Sequence, residues 1–214
     1  MIKLSATGKM PCKSWSLEAL ATCPGSLKDD GSLVDACSGC YATTGAYLWP
    51  ASKNVRSLNK EGWKDADWVS DMVKAIGKDK YFRWFDSGDM YALGLAEKMF
   101  QVMVATPNTK HWLPTRMYKF PKFRAILEAM SELPNVSVRY SSDSVDGTYS
   151  PMHGSTIIPE GMDIPAGVTV CQAPSQAGKC MDCRACWNKA VPVIGYISHG
   201  RKMAKVIRLM NVTI

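Results

Sequence analysis

The chain has 214 residues, 46% of them hydrophobic and 21% charged, with a formal net charge of +7. That length and balance suit one domain (1–214) with a sizeable core, and they exclude a disordered or low-complexity chain. No run approaches the roughly twenty apolar residues of a membrane span, and the start MIKLSATGKMPCKSW lacks the apolar stretch of a secretory signal, so a cytoplasmic protein with no membrane partner is expected.

Location decides what eight cysteines mean. In a reducing compartment they are metal ligands or reactive groups before they are disulfides. The three histidines, His111, His153 and His199, lie away from every cysteine pair. A thiolate-dominated site selects zinc, copper(I) or iron–sulfur.

The first region, 1–60, carries Cys12, Cys23, Cys37 and Cys40 in loops rich in turn formers, such as Cys23-Pro24-Gly25-Ser26. Four cysteines fit a closed site of cluster or zinc. Three of them fit a cubane with one open iron, leaving Cys12 or Cys23 free. After Cys40, YATTGAYL reads as a short helix.

The second region, 61–145, reads as βα repeats. EGWKDADWVSDMVKAIGK has apolar residues at helical spacing from Trp63 to Ile76. The strand Tyr81–Phe85 stops at Asp86-Ser87-Gly88-Asp89, and a helix follows over about Ala92–Ala105. A second strand, His111–Leu113, leads to Thr115-Arg116, and a helix spans about Pro121–Glu132. A third strand, Val136–Tyr140, ends in Ser141-Ser142-Asp143.

Such alternation with short connections predicts a parallel sheet with helical crossovers. Function in these sheets collects beyond the carboxyl ends of the strands. The three polar clusters, DSGD, TR and SSD, should therefore lie side by side. Each taken alone also makes sense as a turn and helix cap.

The third region, 146–214, is irregular at first and then carries Val168–Val170 into Cys171. Cys180, Cys183 and Cys186 follow as C-x2-C-x2-C, the spacing with which ferredoxin loops wrap a [4Fe–4S] cluster. Cys171 is the nearest fourth ligand, and zinc is the alternative. The tail, VPVIGYISHGRKMAKVIRLMNVTI, is read as two strands about His199-Gly200-Arg201, with Arg201, Lys202, Lys205 and Arg208 as a basic strip. Trp63, Trp68, Trp84 and Trp112 read as core, Trp15 and Trp187 as shields beside cysteines, and His111 as a partly buried residue ahead of a strand.

The positive charge invites an anionic partner such as nucleic acid. Two filled four-thiolate sites, at about −2 each, would reduce +7 to about +3.

The segments PCKSWSL, CPGSL, ACSGCYA, YFRWFDSGD, KHWLPTR, KFPKFR, VRYSSDS and GKCMDCRACW resemble the phage gene product 88 family, from Met10 to about Gly200. This resemblance implies a phage protein at work in the host cytoplasm. More distantly, the chain is similar to radical SAM enzymes. That likeness implies an α/β fold with a shortened, partial β/α barrel-like sheet and loop-rich, cysteine-bearing termini. It also implies S-adenosylmethionine on the open iron of a cluster held by Cys37, Cys40 and Cys12 or Cys23. Ser87, Gly88 and Asp89 stand where that family holds the amino group; Arg116, Ser142 and Asp143 stand where it holds carboxylate and ribose. The thirteen residues between Cys23 and Cys37 depart from its usual C-x3-C-x2-C.

Two functions follow as expectations. One is an iron–sulfur enzyme resembling a truncated radical SAM protein. The other is a non-catalytic iron–sulfur or zinc-stabilised protein that binds nucleic acid, through residues such as Arg116, Lys119, Lys122 and Arg124, or binds a host protein.

Overall fold

The computed structural model describes residues 2–149 and 153–212, and for 209–212 the backbone alone. These residues form eight strands: β1 (Ser5–Ala6), β2 (Lys13–Trp15), β3 (Tyr81–Trp84), β4 (Lys110–Thr115), β5 (Val136–Ser141), β6 (Gly154–Ile158), β7 (Val168–Val170) and β8 (Val193–Ile197). They form one sheet in the order β1-β2-β3-β4-β5-β6-β8-β7. β1 and β2 are antiparallel and all other neighbours are parallel. Among the described residues β1 and β7 are the sheet's edges, so the fold is mixed α/β with a mostly parallel sheet, and no pairing closes a barrel.

Among the described residues six α-helices accompany it: α1 (Asp35–Ser38), α2 (Pro50–Gly62), α3 (Trp68–Ile76), α4 (Leu93–Ala105), α5 (Arg124–Glu132) and α6 (Arg201–Val212). The run β3-α4-β4-α5-β5 matches the expected repeats. Parallel neighbours need such crossovers because a hairpin cannot join them.

Three segments differ from expectation. The stripe from Trp63 to Ile76 is split between the end of α2 and α3, because Gly62 and the aspartates of Asp65-Ala66-Asp67 favour a turn. Lys98 holds that turn by donating to the carbonyls of Trp63 and Asp65 at 3.0 and 2.7 Å. YATTGAYL is two 3-10 turns, Tyr41–Thr43 and Gly45–Leu48. Thr43 Oγ1 donates to the Cys40 carbonyl at 2.7 Å, competing with a longer helix.

The tail is one strand and one helix, not two strands. Met203, Val206 and Ile207 recur at helical spacing and pack with Ala36 and Val145, which fixes α6 against the segment bearing Cys37.

One sheet face carries the main core. Phe82, Trp84, Leu113, Val136, Val138 and Tyr140 pack there with α3, α4 and α5. Trp15 belongs to this core rather than to a cysteine site. It meets Trp68 and Trp84 edge-on, with centroids 5.3 and 6.2 Å away, an arrangement worth ~0.5–1.5 kcal/mol per pair beyond area burial. His111 lies inside β4 and is fully enclosed. Its Nδ1 accepts from Trp84 Nε1 at 3.3 Å and its Nε2 meets Thr106 Oγ1 at 2.9 Å.

Alternation sends the neighbours of these residues to the other face. Ser14, Arg83, Trp112 and Ser137 stand in one register row there. Met10, Trp112 and Trp187 form a small second core beside them, with Cys12, Cys180 and Cys186 packed against it. Trp187 Nε1 donates to the Phe82 carbonyl at 2.9 Å, so it both faces the cysteines and docks their segment on β3.

Candidate functional site

The three strand-end clusters do lie together, and they hold each other. Asp89 accepts from Thr115 Oγ1 at 2.8 Å through one oxygen and from the Arg116 amide at 2.9 Å through the other. Arg116 donates from Nε to Asp143 at 3.1 Å and from its guanidinium to the Ser142 carbonyl at 2.6 Å. The chain Asp89–Arg116–Asp143 thus ties β3, β4 and β5 at their carboxyl ends. Burial pushes the Asp89 carboxyl up to about 6, outweighing the hydrogen bonds it accepts from the Arg116 amide, Thr115 and Met90.

Each cluster also cradles a piece of the N-terminal cysteine region. Ser87 Oγ donates to the Leu17 carbonyl at 2.7 Å, and the Asp89 amide donates to the Thr22 carbonyl at 3.0 Å. Gly88, at φ +80, leaves no room for a Cβ, which would stand 2.6 Å from Leu17 Cβ. These contacts aim the loop that ends in Cys23. Gly25 lies directly on Arg116, where an added Cβ would be 2.6 Å from Arg116 Cβ, and Lys119 Nζ donates to the Gly25 carbonyl at 3.2 Å. The Asp143 carbonyl accepts from the Ala36 amide at 2.9 Å, seating α1 and Cys37.

Cys23, Cys37 and Cys40 are thereby brought together over the strand ends. Burial pushes the Cys23 thiol up to about 12, with the nearby Asp89, Cys37 and Cys40 adding to the rise. Burial also raises Cys37, against the pull of Arg116. Cys12 is not part of this group.

Cys12 lies with the C-terminal cysteines. Burial pushes its thiol up to about 12; Arg83 lowers it and Cys180 raises it. Cys171, Cys180, Cys183 and Cys186 line one cavity with Trp187 and Ile194. Cys186 is pushed up to about 11 by burial, against the Tyr196 hydroxyl 3.7 Å from its sulfur. The eight cysteines therefore divide three and five, with all of them free thiols. Among the described residues no three His, Cys, Asp or Glu side chains converge on a single metal ion.

The Gene product 88 family model matches residues 2–189. The chain belongs to this phage gene product family. Comparison with curated proteins and with solved structures gave no match. No helix among the described residues is long and apolar enough to cross a membrane.

In this Gene product 88 family member the donor set is thiol-only in both groups. His111 is bound within the core, and His153 Nε2 meets the Lys189 carbonyl at 2.5 Å. Thiol-only sets suit soft metals and iron–sulfur clusters.

Sequence reasoning missed the groups behind the thiols. Arg139 is fully enclosed and donates to the carbonyls of Ala185, Cys186, Asn188 and Val191, which fastens the C-x2-C-x2-C loop to β5. Asp86 is 4% exposed, and its Oδ1 is enclosed without a hydrogen-bond partner; the Arg56 guanidinium stands 3.8 Å from its other oxygen. The available signal was an arginine at the centre of a buried parallel strand, where a charge needs an internal reason.

Proposed function

We propose that this Gene product 88 family member is an iron–sulfur protein with two centres and a shortened radical SAM-like layout. The division of the cysteines carries the reading. Cys23, Cys37 and Cys40 would hold a [4Fe–4S] cluster with one iron open, at the carboxyl ends of parallel strands where ligands meet such sheets. Cys171, Cys180, Cys183 and Cys186 would close the second, with Cys12 beside Cys180. Clusters of this kind supply one-electron chemistry when bound.

The chain's own part is positioning. Ser87, Gly88 and Asp89 are engaged in holding the Cys23 loop, and Arg116, Ser142 and Asp143 hold one another. Asp86 differs: its Oδ1 is enclosed without a partner and would accept from the ammonium of an amino acid ligand such as S-adenosylmethionine once the overlying segment moved aside. Tyr41, next to Cys40, donates to the Asp86 backbone carbonyl at 2.6 Å, which ties the Asp86 backbone to the segment that follows Cys40.

Anaerobic reconstitution tests the reading. Iron and sulfide should be found together, with broad absorbance at about 400 nm. S-adenosylmethionine should change the EPR signal of one cluster and yield 5′-deoxyadenosine. A colourless, zinc-filled protein would sink the proposal. Unchanged EPR with no 5′-deoxyadenosine would leave a non-catalytic iron–sulfur protein.

One observation favours a binding role alongside. Lys122, Arg124, Arg201, Lys205 and Arg208 all stay exposed, whereas Arg116 and Lys119 are spent on Asp143. Affinity for nucleic acid that falls steeply with added salt is the check on that role.

A further inference from the structure

Two arginines stand on the sheet face that meets the C-terminal cysteines, and their surroundings differ sharply. Arg139 is saturated by backbone carbonyls. Arg83 is not. Its Nε is enclosed without a partner, and one terminal nitrogen meets the Met10 thioether at 3.4 Å, a weak acceptor. The other meets the Tyr41 hydroxyl at 3.3 Å. Its guanidinium lies over Trp112, 4.3 Å from the ring centroid. No carboxylate forms an ion pair with it among the described residues.

The placement gives this guanidinium two directions. Tyr41 adjoins Cys40 of the three-thiol group. Met10 precedes Cys12 by two residues, and Trp112 meets Trp187, the neighbour of Cys186, at 5.3 Å. A guanidinium fork is suited to a carboxylate or another anion, and this one touches a thioether, a phenol and a ring, with the Asp86 carboxylate near enough to act on it but not paired with it. Half-burying such a group, with its Nε enclosed, calls for opposite charge nearby. Thiolate-held clusters supply it, at about −2 for each four-thiolate site.

We infer that Arg83 is the shared counter-ion of the two cysteine groups, placed to stabilise negative charge at both centres. This rests on the iron–sulfur reading above. A cation near a cluster favours its reduced, more negative form, so Arg83 raises both reduction potentials. It acts through the centres and is a positioning residue.

The test is a redox titration followed by EPR on the anaerobically reconstituted full chain, as wild type, Arg83→Gln and Arg83→Lys. Cys37→Ser with Cys40→Ser isolates the C-terminal centre; Cys183→Ser with Cys186→Ser isolates the other. Arg83→Gln should move both potentials to more negative values, and Arg83→Lys, which keeps the charge, should hold both near wild type. Arg83→Met replaces the glutamine variant should that one not fold. Unmoved potentials, movement at one centre alone, or a lysine variant shifted as far as the glutamine variant would overturn the inference. Iron counts come first: a wild type without iron overturns the iron–sulfur reading itself, and the inference with it.

Discussion

Arg139 donates from Nε to the backbone carbonyl of Cys186 at 3.0 Å. Through that bond and its companions a residue in the middle of β5 holds a cysteine loop nearly fifty positions later in the chain. The C-x2-C-x2-C loop has almost no regular structure of its own, so its shape depends on this side chain together with Trp187, which donates to the Phe82 carbonyl.

Arg139→Ala should therefore be costly. It removes the donor to the carbonyls of Cys186 and Val191 and one of two donors to those of Ala185 and Asn188, which also accept from the Asn188 and Val191 amides; each acceptor left unpaired costs ~1–3 kcal/mol. A total of at least ~3 kcal/mol corresponds to a fall in Tm of about 6–12 °C for a chain of this size. A thermal melt reads the loss, and limited proteolysis should show new cleavage between Cys180 and Val191. A melt within about 2 °C of wild type would mean that the carbonyls find other donors.

Gly88→Ala should act on the N-terminal cysteine region, beyond the carboxyl end of β3. At φ +80 an L residue is strained, and the new Cβ would meet Leu17 Cβ at 2.6 Å and Thr22 Oγ1 at 2.7 Å. We expect a loss of roughly 2 kcal/mol or more, measured by urea unfolding. The Leu17–Cys23 loop should detach first, so alkylation of Cys23 should quicken more than that of Cys186.

These two sites show what the sequence could and could not reveal. The β3-α4-β4-α5-β5 run was legible because its strands lead into the polar clusters DSGD, TR and SSD and its helices carry apolar stripes. The meeting of DSGD, TR and SSD followed from parallel strand order alone. What the clusters hold did not follow, because an Asp or Ser aimed at a ligand looks the same as one aimed at a distant loop. Cys12 was grouped with its sequence neighbours, yet β2 carries it to the face where the C-terminal loop docks. The tail was misread because VPVIGYI is a true strand, and the helical spacing of Met203, Val206 and Ile207 came after it.

His111 should give the fold an acid-sensitive step. Burial depresses its pKa from 6.5 to about 4, so the unfolded chain binds more protons between those values. Its contribution is fully present above pH 6.5 and is lost as pH falls to about 4. The whole window is worth roughly 3 kcal/mol. The urea midpoint of wild type should fall relative to that of His111→Gln as pH drops from 6.5 to about 4, whereas Asp89, raised to about 6, acts in the opposite sense in both proteins and cancels from the comparison. Parallel slopes in the two proteins would remove His111 as the source.

The division of the cysteines makes its own prediction, which separates Cys12 from Cys23. Cys23 faces Cys37 and Cys40 over the strand ends, whereas Cys12 packs beside Cys180 under Trp187. Cys23→Ser should abolish the cluster signal that responds to S-adenosylmethionine and leave the other signal intact. Cys12→Ser should leave the responsive signal unchanged, since the thiol it removes belongs to the other group. Iron per chain should fall by about one cluster in the first variant and by less in the second, because Cys171, Cys180, Cys183 and Cys186 still line their cavity. Loss of the responsive signal in Cys12→Ser, with Cys23→Ser unaffected, would reverse the assignment and place the open centre on the other side of the sheet.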